Sequence, residues 1–328
     1  MSDSNNLEQK FWERISFKGK LEDISQRVCE EYNLGDFISN KLFLIGYEDF
    51  NYILQTNKGK YFVKVFANFR SPDECKRYVE IISKAVKAKV STPSMYKSKQ
   101  GELCIIKKGN NQLHLCVLEY IDGDNLFALN DLPNEEEIKF LAHQAALINS
   151  IRIRPSLFVC DEWAITSFPK EFARKGKYLN SDDMKLVKPL LSKFEDLKID
   201  TLPRAFVHGD IIATNVVKDK NAKLWIVDFA VSNYYPRIQE LAVLACNLFY
   251  RKEDKNQSES NFNLALREYH KSIKLTTKEK QALPTYIQLA HAMHILSANY
   301  QKVFLKNTTT ENEYWLDQGR TGLKQQTR

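Results

Sequence analysis

Glycine and proline are scarce in this 328-residue chain, with 11 and 9 residues respectively. That scarcity excludes collagen-like and Pro/Gly-rich low-complexity classes. No apolar run approaches the ~20 residues that cross a bilayer. The opening segment MSDSNNLEQK lacks the apolar core of a signal peptide. A cytoplasmic protein with no membrane partner is therefore expected. The six cysteines (Cys29, Cys75, Cys104, Cys116, Cys160 and Cys246) form no CxxC pair and no Cys/His cluster with zinc spacing. In an unsecreted chain they are expected to be free, mostly buried thiols. The net charge of +7 is spread along the chain without a basic stripe interleaved with aromatics, which argues against a nucleic-acid partner. Neither GxxxxGK[ST] nor GxGxxG occurs, so the two familiar glycine-rich phosphate cradles are missing.

What is present is ordinary globular material, 43% apolar and 27% charged. The length suggests two domains or one bilobal unit. Residues 1–40 read as a leading helical segment, with Ile24, Val28 and Tyr32 on one face. Short β-rich runs follow at Leu42–Leu44, Tyr52–Leu54 and Tyr61–Phe66, with a turn at Thr56-Asn57-Lys58-Gly59. A helix is expected from about Pro72 to Lys89, with Val79, Ile82 and Val86 as its apolar stripe. Two further strands, Glu102–Ile106 and Leu113–Leu118, flank the turn Lys108–Asn111. After Tyr120 the pattern is helical: Glu135–Ile151, then about 182–196, 236–250, 258–271, 276–303 and 311–324. These periods predict an α+β chain with a small β-rich lobe over 1–120, a tight hinge near 119–123, and a larger helical lobe over 121–328.

One stretch interrupts the helices and carries the chemistry: HGDIIATNVVKDKNAKLWIVDF, residues 208–229. Asp210 leads a loop, Asn215 opens an apolar strand, and Asp228 ends the strand paired with it. The ends of a two-stranded hairpin come together, so the three side chains can converge. Two carboxylates and an amide oxygen suit a hard cation such as Mg²⁺, which takes oxygen ligands and keeps waters and phosphate oxygens. In kinase-type phosphoryl transfer one Asp accepts the hydroxyl proton, while an Asn and a second Asp hold metal.

HGDxxxxN followed by a VDF segment resembles the aminoglycoside phosphotransferases and their kin, which include choline kinases, type II homoserine kinases, methylthioribose kinases and stress-response kinases. The resemblance covers roughly residues 40–325. It implies a bilobal protein-kinase-like fold with ATP held between the lobes, Asp210 as base, and Asn215 and Asp228 as Mg²⁺ ligands. Lys64, in the apolar strand Tyr61–Phe66, would contact the α/β-phosphates. Its partner carboxylate would sit on the following helix, with Glu80 first choice and Glu74 second. Ile45–Asn51 occupies the place of the nucleotide-covering loop. Val117–Gly123 resembles the family's Leu-Glu-Tyr-x-x-Gly connector, so the Glu119 carbonyl would accept from adenine N6 and the Ile121 N–H would donate to N1.

Two features depart from the family. Glu240-Leu241-Ala242 stands where relatives usually carry Asp-Leu-Ala, although the longer carboxylate can still reach back to the catalytic loop. Ala230 follows Phe229 where a protein kinase has Gly, and no APE-like segment occurs; both argue against a regulated eukaryotic-type protein kinase. A stress-response-type protein kinase and a degenerate nucleotide-binding regulator remain as alternatives. His208 reads as a structural residue of the loop. His291 and His294, at i and i+3 on a helix, have no further metal ligand in register and read as packing or substrate contacts. Residues 251–310, the expected acceptor wall, hold ten Lys/Arg against five Asp/Glu. That balance favours a neutral, zwitterionic or anionic hydroxyl-bearing metabolite over an aminoglycoside.

Overall fold

The computed structural model describes residues 9, 12–15, 17, 19–43, 49–108, 111–155 and 157–327. The chain divides into two compact units, Met1–Gly123 and Asp124–Arg328.

In the first unit, helix α1 (Leu21–Tyr32) ends at Asn33, a left-handed C-cap. Asn tolerates that conformation better than most residues. Strands β1 (Phe37–Leu42), β2 (Phe50–Thr56), β3 (Gly59–Val65), β4 (Cys104–Lys108) and β5 (Asn111–Glu119) form one antiparallel sheet in the order β1-β2-β3-β5-β4. Helix α2 (Pro72–Lys87) follows β3 and opens with a capping box between Ser71 and Glu74. Phe50, Tyr52, Leu54, Tyr61, Val63 and Val65 share one core with the Ile24, Val28 and Tyr32 face of α1. Side chains alternate along a strand. Lys64, between Val63 and Val65, therefore projects from the opposite face, where its Nζ lies 5.0 Å from the Tyr78 ring of α2.

The first strand runs earlier than its expected span of Leu42–Leu44. It lies at the sheet edge and is mostly open to solvent, so FISNKL carries no apolar run to mark it. Of the expected nucleotide loop, residues 45–48 lie outside the described residues, as do Leu44 and the turn residues Gly109 and Asn110.

The second unit begins with β6 (Gly123–Asn125), which joins β8 (Val216–Asp219) and β9 (Leu224–Ile226) in a three-stranded sheet, and with α3 (Glu135–Asn149). Next come α4 (Phe168–Lys175), α5 (Ser181–Val187) and α6 (Leu190–Asp196). The single helix expected over 182–196 is two, because Pro189 cannot supply the amide that a continuous helix needs. Strand β7 (Arg204–Val207) pairs with β10 (Asn233–Pro236), so the helix expected from 236 starts later, as α7 (Ile238–Cys246). Then come α8 (Lys255–Ser272), α9 (Thr277–Val303) and α10 (Thr310–Thr327). No helix among the described residues is long and apolar enough to cross a membrane. All six cysteines are free, and Cys160 alone is exposed.

Helix α9 is the axis of the second unit. Helix α10 lies so close to it that a Cβ added at Gly322 would fall 2.1 Å from His291 Cε1. His291 is thus a packed residue, fully buried beneath a glycine. His294 sits between two indoles, its ring centroid 6.2 Å from Trp163 and 5.3 Å from Trp315. Charge is also built into this interior. Lys175, 1% exposed, lies 3.1 Å from the equally buried Glu171 and donates to Ser297 on α9 at 3.1 Å. Arg320 on α10 donates two bonds, of 2.8 and 2.7 Å, to buried Asp183 on α5.

Glu171→Ala removes the nearer, buried counter-charge of Lys175, leaving it only the half-exposed Glu162 carboxylate at 3.4 Å, and should cost ~3 kcal/mol. Lys185→Ala breaks an ion pair whose members are 76% and 85% exposed. That variant should cost less than ~1 kcal/mol. Urea unfolding of both variants checks the contrast; equal costs would contradict it.

Candidate active site

The site in the second unit is built by strand ends. β7 ends at Val207, immediately before His208-Gly209-Asp210, and β9 ends at Ile226, two residues before Asp228. Between them Ala213–Asn215 forms a single 3₁₀ turn leading into β8. Asn215 therefore closes a turn and does not open the strand. The Val227 N–H donates to the Asn215 carbonyl at 3.0 Å, which holds Asn215 beside the Val227-Asp228 segment. The Asn215 amide Nδ2 donates to Asp210 twice, to Oδ2 at 2.7 Å and to the main-chain carbonyl at 3.0 Å. Asp210, Asn215 and Asp228 are thus brought together.

His208 ties the loop down. Its backbone N–H donates to Glu240 Oε2 at 2.6 Å. Its Nδ1 accepts from the Asp210 N–H at 3.2 Å, and its Nε2 faces the Val227 carbonyl at 3.2 Å. These partners require one neutral tautomer, with the proton on Nε2. Burial agrees, pushing His208 down to about 4 despite the nearby Asp228 charge. The backbone is strained at one position of this arrangement. Gly209 takes φ +85° freely because it has no side chain, whereas Asp228 has φ +64°, a left-handed value that disfavours a side chain. Residues held in such conformations gather at functional sites.

Electrostatics sets Asp210 apart. It is only partly exposed, and desolvation, then the charges of Asp161 and Asp228, push it up to about 8. The Asn215 bond opposes the rise, and Glu311 on α10 adds to it. Asp161 is 5% exposed, and its Oδ1 accepts from the Trp163 N–H at 2.8 Å. The Trp315 indole N–H faces Glu311 Oε1 at 3.4 Å. Neither Asp161 nor Glu311 was visible as a site residue in the sequence, because each lies far along the chain from the HGD loop and in no motif.

The donor set suits a hard cation. With Nδ2 spent on Asp210, Asn215 keeps Oδ1 as an oxygen donor, and carboxylates repelling one another nearby would be relieved by positive charge. Asn215 and Asp228 are the residues that would hold it.

In the first unit Lys64 is 4% exposed, and its Nζ lies 3.0 Å from Asp49 Oδ2. This corrects the expected pairing with Glu80 or Glu74. Glu80 points outward into a surface depression shared with Lys76, Lys84 and Lys87. The Glu74 carboxylate accepts from the Ser71 N–H at 2.7 Å as part of the helix cap. At the connector, the Glu119 side chain accepts from the Ser94 hydroxyl at 2.9 Å, and the Ile121 carbonyl accepts from the Gly123 N–H at 3.0 Å.

A sequence profile of the phosphotransferase enzyme family matches residues 40–273. The chain belongs to that family. It is a small-molecule phosphotransferase that moves a phosphoryl group from ATP to a hydroxyl. The homoserine kinase of Zymomonas mobilis is 20% identical over 283 residues, covering 84% of this chain and 85% of that protein. The homoserine kinase of Neisseria meningitidis is 23% identical over 266 residues, covering 77% and 80%. Among solved structures, a spectinomycin phosphotransferase bound to ADP and spectinomycin superposes with a TM-score of 0.69 at 13% identity, covering 94% of this chain and all of that one. A microcompartment-associated aminopropanol kinase gives 0.68 at 11% identity, covering 92% and 95%. These likenesses carry the bilobal protein-kinase-like fold of the phosphotransferase.

The long reach of Glu240 leads to a pH prediction. Burial pushes its carboxyl up to about 8, against bonds from the His208 and Gly209 amides that pull it down. A carboxyl raised in the folded state stabilises the fold at low pH and loses that contribution as pH climbs toward its folded value. Glu240→Gln should therefore gain Tm relative to the parent, by roughly 2–4 °C, the scale of one kcal/mol in a large domain, as pH rises from 5 to 8. A gap that stays constant with pH would contradict a raised Glu240.

Proposed function

We propose that this phosphotransferase acts on a small hydroxy amino acid or amino alcohol of the homoserine kind, phosphorylating its hydroxyl. The observation that carries the reading is the negative charge that bears on Asp210 besides the proposed metal ligand Asp228, from Asp161 and Glu311. An ammonium group next to the reacting hydroxyl complements that charge. Local charge of this kind outweighs the basic bulk of residues 251–310. The homoserine kinase relatives point the same way.

In this reading Asp210 accepts the proton from the acceptor hydroxyl. A base poised near neutral pH suits that task. The Asn215 bond to Oδ2 fixes the carboxylate's orientation, and His208 fixes the loop that carries it. Asn215 and Asp228 would hold Mg²⁺, which would neutralise phosphate charge when bound. Lys64 contacts the α/β-phosphates, and the Glu119 carbonyl and Ile121 N–H read the adenine edge. Most of the rate comes from positioning and charge neutralisation.

Asp210→Asn should leave ATP binding nearly intact and lower kcat at least ~10²-fold, the scale of general-base loss. The check is ADP release measured with L-homoserine, aminopropanol, ethanolamine, a neutral sugar and kanamycin as acceptors. Turnover with an amine-bearing small acceptor is expected. Saturable phosphorylation of kanamycin with the small acceptors inert would overturn the acceptor class. Parental turnover by Asp210→Asn would remove its role as base.

A further inference from the structure

We infer that Asp49, at the entry to β2, takes the part of the helix carboxylate in this chain, orienting the Lys64 ammonium through a buried ion pair. The inference rests on the reading of Lys64 as the phosphate-contacting lysine.

Four observations carry it. Lys64 Nζ and Asp49 Oδ2 are 3.0 Å apart, with side chains 5% and 2% exposed. The carboxylate is itself anchored: Oδ1 accepts from Arg70 Nε at 2.7 Å and from the Ala67 N–H at 3.1 Å, while the Asp49 carbonyl accepts from Arg14 at 2.9 Å. Both α2 glutamates weighed for the role are committed elsewhere, Glu80 to the exposed face and Glu74 to the helix cap. Finally, the strand register sets Lys64 on β3 opposite Asn51 on β2, and Asp49 immediately precedes β2, so the sheet's own pairing brings the two side chains near each other. A pairing made within the sheet does not depend on where a helix sits.

The charge balance is consistent. Although burial alone would raise it, the Lys64 ammonium and the Arg70 guanidinium hold Asp49 down, to about 2, so it stays ionised. Asp49 is thus a buried anion in contact with both Lys64 and Arg70. Taking away the carboxylate removes the contact that fixes the lysine's flexible stem, and an ammonium so released meets a phosphate less often.

The test uses the full chain and Mg–AMPPNP as probe. Asp49→Asn should weaken binding by about tenfold or more, and Asp49→Glu should recover part of the loss. The double variant Glu74→Gln/Glu80→Gln should bind within about twofold of the parent, and this arm stands even where Asp49→Asn fails to fold. A tenfold loss in the double variant, or parental binding by Asp49→Asn while Lys64→Met binds poorly, would overturn the assignment. Parental binding by Lys64→Met would show instead that the phosphate role of Lys64 is wrong, and the assignment of Asp49 would fall with it.

Discussion

The hydrogen bonds of His208 are the constraint on which the segment from His208 to Asp228 depends. One residue reaches three parts of the chain: its amide to Glu240 on α7, and its ring to the Asp210 amide and the Val227 carbonyl. The end of β7, the loop after it and the end of β9 are thereby held as one piece. Asp228 would not keep its left-handed conformation in a free loop, since the cost for a residue with a side chain is of order 1–2 kcal/mol. The same bonds fix Asp210 near Asp228, and the mutual repulsion of those carboxylates is what a bound cation would relieve. Structure and chemistry thus share one set of contacts.

The two units meet the cost of internal charge differently. In the helical unit, buried charges tie helices together: Lys175 links α4 to α9, and Asp183 links α5 to α10. In the β unit, Lys64 and Arg70 share one buried carboxylate, Asp49. The first arrangement joins separate helices. The second holds two cations in place around a single anion.

Much of this was legible in the residues. The apolar stripe of α1, the five strands with a helix after the third, and the long α9 all follow from periodicity. The HGDxxxxN segment with its hairpin announces three convergent oxygen donors, because strand pairing leaves few other outcomes. What was not legible depends on contacts between distant segments. The exposed strand β1 buries no regular face. Strands β7 and β10 are four residues each and meet only in the fold. The carboxylates Asp161 and Glu311 reach Asp210 through tertiary packing. Glu80 looked apt because it adjoins the Val79/Ile82 stripe, but one step along a helix turns a side chain by about 100°, and that turn carries Glu80 out to solvent.

The proposed role of Asn215 and Asp228 in holding a nucleotide-bound metal is tested most directly by calorimetric titration of ATP with and without Mg²⁺, in the parent and in Asp228→Ala. The parent should bind ATP far more tightly when Mg²⁺ is present, and Asp228→Ala should lose that dependence. An Mg²⁺ dependence unchanged in Asp228→Ala would contradict the account.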